Sequence, residues 1–334
     1  MTRQLRRILL ITLWFPSLAC IAASPQKLVD ALGLEEVGAA MADAKVTDLL
    51  DKHGNTLREQ DRRAAAVLVA MGLIEARQLD EERLSETLRR LHHAVTHPYF
   101  KGEIGESALL RMLREPWQHD DLLAEQDLLR VLGEALSEGL LTGYDLRRRG
   151  AYSGFQPGHT FIYSHGSQRH LSQLSTMMAA YNIRARVYVA PKVSAFLYRE
   201  SWGTANENTT TLPGGARVMN GREAAVMFEF DTPASRADFH ELILRYAKKD
   251  EQDETGLIAD AWWQPFYYTD QAFADFPRIS LVIVSSEHYE ATLTVLDEKA
   301  NTIVEALSGK GFPVRVENIW VNPAFHRFLQ GGYR

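Results

Sequence analysis

The chain holds one cysteine, Cys20, and no apolar run of the about 18 residues or more that would read as a bilayer-spanning helix. One thiol excludes internal disulfides, so stability must come from an ordinary apolar core, which a chain of 334 residues is long enough to bury. Basic residues are also short: 37 lysines and arginines stand against 43 acids, a formal net charge of −6. With no long basic run to offset this, no nucleic-acid partner is expected. The nearest run, Arg147-Arg148-Arg149, closes a region of helical period and reads as a complement to a helix dipole. Absent too are a Gly-x-Ser-x-Gly elbow, a Gly-Lys-Ser/Thr phosphate loop and a dinucleotide-binding glycine fingerprint. No motif identifies a cofactor.

What is present begins with Arg3, Arg6 and Arg7 ahead of the apolar stretch Ile8 to Ala23, with small Ala22 and Ala23 at its end. This is the pattern of a cleaved export signal over 1–23, and it predicts a periplasmic or secreted protein with no transmembrane span in the mature chain. A second route, cleavage before Cys20, would leave a lipid-bearing N-terminal cysteine. The order Ser17-Leu18-Ala19-Cys20 puts leucine two places before the cysteine, whereas the lipoprotein pattern has it three places before.

From residue 24 to 150 apolar residues recur at three and four, which predicts a helical domain of five or six packed helices. Leu128, Leu132 and Leu136 mark one stripe, on a helix expected from His119 to Gly139. Others are expected over Arg58 to Met71, Asp80 to His97 and Glu106 to Arg114. Glycine and proline then cluster in Gly150 to Gly158, where a domain boundary is placed. Beyond it, over 158–334, the period alternates between strand and helix in three units. Strands are expected at His159 to Ser164, Arg184 to Ala190, Ala224 to Phe230, Ala261 to Tyr268, Ile279 to Ser285 and Val314 to Val321. The predicted fold is α+β, a helical bundle followed by a ferredoxin-like α/β sandwich of strand-helix-strand units. Between the last two strands either one long helix or a hairpin around Asp297 to Asn301 fits the pattern.

The stretch from Gly215 to Tyr268 contains Ala225-Val226-Met227-Phe228-Glu229-Phe230-Asp231, a helical segment, and Gly256-Leu257-Ile258-Ala259-Asp260 before an aromatic strand. It resembles units of the dimeric α/β-barrel families. The resemblance implies a ferredoxin-like unit and the chance of a homodimer, and it carries no family functional residue onto this chain.

The densest polar cluster is Gly158 to His170. Ser164, His165, Ser167 and His170 lie where a strand enters a helix, able to hold an anion on free backbone amides or to place an imidazole as acid or base. A plainer reading makes Ser167 the helix N-cap. His159 shares a strand face with His165, but six residues of strand separate them by about 20 Å, so a three-histidine metal site is not expected. His93 and His97, four apart on a helix with Glu103 beyond, are more simply last-turn histidines. Trp202 and Trp262, with Trp263, Phe266, Tyr267 and Tyr268, form an aromatic set that either lines a pocket or fills the core. The polar loop Gly203 to Gly215 is long enough to act as a lid. These features predict a non-catalytic module that binds a small molecule or a protein, with a small-molecule enzyme using a histidine acid or base as the alternative.

Overall fold

The computed structural model describes residues 24–96, 119–150, 154–198, 204–212, 215–246 and 266–332. The leader, Cys20, Trp202, Trp262, Trp263, His97, Glu103 and the helix expected over Glu106 to Arg114 lie outside these residues.

Helix α1 (Pro25–Leu32) starts where Ser24 accepts the Lys27 amide at 3.3 Å and Pro25 fills the first turn, and it ends at Gly33 with φ +68°. Then come α2 (Glu35–Ala40), α3 (Asp43–Leu50), α4 (Glu59–Ala70), a 3₁₀ turn at Ala76–Asp80 and α5 (Leu84–Thr96). The alanines of α4 let its neighbours approach closely, and Ala64 to Leu68 are all buried. The helix expected over His119 to Gly139 is interrupted at Ala124 and Glu125, giving α6 (Asp120–Leu123) and α7 (Gln126–Ser137). Its leucine stripe survives on α7.

Nine strands follow: β1 (Gly143–Arg148), β2 (Thr160–His165), β3 (Ala185–Leu197), β4 (Thr209–Thr211), β5 (Arg217–Phe230), β6 (Tyr267–Thr269), β7 (Arg278–Ser285), β8 (Tyr289–Val295) and β9 (Val314–Val321). Helices α8 (Gln168–Ala180), α9 (Pro233–Tyr246), α10 (Asp297–Ser308) and α11 (Pro323–Leu329) lie between and after them. Eight strands run in the order β2-β6-β9-β7-β8-β1-β3-β5, and β5 pairs back onto β2, so the sheet closes into an antiparallel barrel with β4 appended to β5.

This corrects the expected fold: there is no ferredoxin-like sandwich beside a separate helical bundle. The reason is the length of β3 and β5. At 13 and 14 residues they pair with each other along β3 and still extend to a second neighbour, β1 for the former and β2 for the latter. A sheet whose longest strands are shared this way can meet its own edge and remove it.

Other expectations change with it. Gly143 to Arg148, inside the stretch read as helical, is a barrel strand paired with both β3 and β8. Arg147-Arg148-Arg149 therefore complements no helix: Arg147 is buried in the barrel and Arg148 pairs with Asp121 outside it. Both readings of residues 286–313 fail, since strand β8 is followed by helix α10. Part of the expected lid, Thr209 to Thr211, is strand β4. The strand expected over Arg184 to Ala190 runs on through Pro191 to Leu197; Pro191 sits beside Lys192, where the ladder with β1 stops, so no N–H is missed there.

Both helical layers lie outside the wall. Phe161, Tyr163, Val226, Phe228, Phe230 and Tyr267 face α8, α9 and the N-terminal helices, all in one buried cluster with Leu28, Leu50 and Leu68. Leu146, Val193, Val282, Val284 and Leu293 form a second cluster with α7 and α10. A third, Ile279, Leu281, Ile283, Ile319 and Val321, fills part of the barrel interior, with Phe325 and Leu329 of α11 packed against it.

Candidate functional site

Because outward positions are apolar, their alternates point inward, and on β1, β3, β5 and β8 these are polar. The ladder places Asp145 opposite Ser194 and Thr292, Arg147 opposite Lys192 and Glu290, and Lys192 opposite Glu223. One interior flank therefore carries a continuous set of charges.

Lys192 is its centre. Its side chain is 3% exposed, and Nζ lies 2.9 Å from Asp145 Oδ1 and 2.9 Å from Glu223 Oε2. Burial acts against the ammonium, but the two carboxylates outweigh it and raise the lysine above its ordinary value. Burial also raises both acids. At Glu223 the Lys192 charge and hydrogen bond prevail and hold the carboxyl below its usual range; at Asp145 desolvation wins, helped by the Glu223 charge, and the carboxyl is raised. Two carboxylates on one ammonium are thus pushed apart in proton affinity. Gly221 makes room for this arrangement, since a Cβ there would stand 2.7 Å from Ser194 Oγ and 3.2 Å from Glu223 Oε1.

A second set adjoins the first. Arg147 meets Glu290 at 2.9 Å with both side chains under 8% exposed, and Arg315 reaches the other oxygen of Glu290 at 3.3 Å. Arg147 also hydrogen-bonds the phenol of Tyr268, a residue whose ladder partners, Ile162 and Val321, place it inside the barrel. Burial raises the Tyr268 phenol despite this cation, so it stays protonated at neutral pH.

Access separates the two sets. Glu290 is closed off at 7%, whereas the side chains of Asp145 and Glu223 keep 26% and 28% of their surface although they lie deep in the molecule. Both carboxylate side chains thus keep some exposed surface, while the lysine between them keeps almost none. Ser164, on the inner face of β2, is also partly accessible.

The polar cluster read from the sequence is divided by the wall. Ser164 points inward, and His165, its neighbour, points outward toward α8, with its ring centroid 5.0 Å from that of His170. So His165 and His170 do come together, but outside the barrel. His165 Nδ1 accepts the Ser167 amide at 3.3 Å, and burial, then the neighbouring His170, push its pKa down to about 3. His170 is lowered as well, by burial and by Arg169. A weakly basic imidazole with one nitrogen already engaged is poorly suited to proton abstraction. Ser167 occupies the N-cap position of α8 without a side-chain capping bond. His159 is held at a strand end by the Phe230 carbonyl at 3.1 Å. Among the described residues no group of three or more His, Cys, Asp or Glu side chains is placed to hold a metal ion.

The aromatic set splits too. Tyr267 is buried outside the wall, its hydroxyl 2.6 Å from His240 Nδ1, Tyr268 enters the barrel, and Phe266 stacks on Phe325 of α11 at 4.9 Å. Sequence reasoning missed Asp145, Arg147, Lys192, Glu223 and Glu290. Their signal was present as charges alternating with apolar residues, as in Tyr144-Asp145-Leu146-Arg147. Comparison with protein-family models, with curated proteins and with solved structures found no match for this chain. No helix among the described residues is long and apolar enough to cross a membrane.

Proposed function

We propose that this protein is an exported, non-catalytic binding protein whose ligand is a small molecule rich in hydrogen-bond donors, amine or hydroxyl, held inside the barrel against Asp145 and Glu223. The observation that carries this reading is the pair of carboxylates whose oxygens converge on Lys192 while their side chains keep 26% and 28% of their surface exposed. Such oxygens accept hydrogen bonds, and closed barrels commonly take ligands at their mouths. Ser164 and Tyr268 supply further polar edges on the facing wall. The lowered basicity of His165 speaks against the alternative of a histidine acid or base.

The test is a thermal melt of the purified protein with putrescine as the amine probe and sorbitol as the hydroxyl probe. A ligand that binds only the folded state raises the midpoint as its concentration passes Kd. At least one probe is expected to do so, with the shift lost in both Asp145→Asn and Glu223→Gln. No shift from either probe, or a shift that survives both substitutions, overturns the reading.

A further inference from the structure

Among the described residues, strand β9 has an edge that no strand covers over most of its length, and its sequence fits a second copy of itself. The backbone groups of its odd-numbered residues bond toward β7, since the Val321 amide donates to Pro277 and the Ser285 amide donates to Pro313. Its even-numbered residues face the other way, where the Asn322 amide donates to the Tyr267 carbonyl. But β6 is three residues long and covers only Trp320 and Val321 of β9. Among the described residues no strand lies against Val314, Val316 and Asn318 on that side, and Val316 is 44% exposed.

Exposed edges of this kind are usually blunted by charged side chains, lysine above all, or by proline. Val314-Arg315-Val316-Glu317-Asn318 has no lysine or proline, its two charges are of opposite sign, and Pro313 stops short of it. Antiparallel pairing of two such edges about a two-fold axis at Val316 sets Val316 against Val316 and Val314 against Asn318, all positions whose N–H and C=O face the free side. The same register sets Arg315, already paired in its own chain with Glu317 at 3.1 Å and Glu290 at 3.3 Å, against the partner's Glu317 twice over. These are non-hydrogen-bonded pairs, in which side chains approach most closely and opposite charges favour association. A one-residue slip would leave odd-numbered groups, already committed to β7, facing the partner.

The geometry points to a homodimer formed by antiparallel pairing of β9 edges across a two-fold axis at Val316. This is independent of the ligand reading above. Light scattering on the full chain tests it first: a dimer mass is expected, falling to the monomer in Val316→Pro, which removes a free-edge donor and leaves the β7 ladder intact. Cross-linking tests the register without relying on that variant. With Cys20→Ser as background, Val316→Cys places two thiols on residues whose Cα atoms are about 5.5 Å apart, within disulfide reach. Asn318→Cys places them about 14 Å apart along the strands. Mild oxidation is expected to give several-fold more covalent dimer from Val316→Cys than from Asn318→Cys. A monomer mass for the unmodified chain, or equal yields from the two cysteine variants, overturns the proposal.

Discussion

Lys192 shows how much one inward side chain can decide. An ammonium with its side chain 3% exposed is tolerable only because Asp145 and Glu223 stand 2.9 Å away, and those acids are tolerable only because of it. Removing one member of such a set leaves uncompensated charge. Lys192→Met is therefore expected to destabilise the fold by about 3–5 kcal/mol in urea unfolding. The triple change Asp145→Asn, Lys192→Met, Glu223→Gln is expected to recover most of that loss, because no charge then remains to be desolvated. A triple variant as unstable as the single one would show that shape, rather than charge, governs the site. None of these three residues stood out in the sequence, where a lone lysine after Pro191 or a glutamate after Arg222 reads as solvent-facing. His165 and His170 were legible as a pair because a strand, a glycine turn and a helix follow one another directly. Which side of the wall they occupy was not.

At the scale of elements, the barrel closes through its shortest wall strand. Strand β6 contributes two ladder positions to β2 and two to β9, against thirteen between β3 and β5. Local opening is favoured where few backbone bonds and little apolar contact resist it. Native-state hydrogen exchange is therefore expected to release the amides of Tyr268 and Thr269 well before those of Val226 to Phe228. Equal protection would mean that the seam opens only with the whole barrel. Some element boundaries were legible, although β3 and β5 each run seven residues beyond their expected spans. Strand β9 and helix α4 fall within a few residues of the expected spans, since each has an apolar period bounded by glycine, proline or a polar residue. Strand β1 was not, because its apolar residues, Tyr144 and Leu146, number only two and follow a long helical stretch.

For the whole molecule, the buried cluster that joins α1 to α5 with β2, β5, α8 and α9 leaves no boundary at residue 150 in the packing. Leu28 and Phe161 are both fully buried in it. Calorimetry is expected to record one cooperative unfolding transition, with the N-terminal helices melting together with the barrel. Two separated transitions would restore an independent helical domain.

The sequence by itself determined the local periods, hence several of the helices and strands, the dearth of thiols and the acidic balance. It also encoded two unlike faces for strands β1, β3, β5 and β8. Only the tertiary structure decided which face was enclosed. An alternating strand is equally amphipathic whether its polar side meets water or the inside of a closed wall. Here helices cover the apolar faces from outside, and closure gathers charges distant in sequence, from β1, β3, β5 and β8, into one interior.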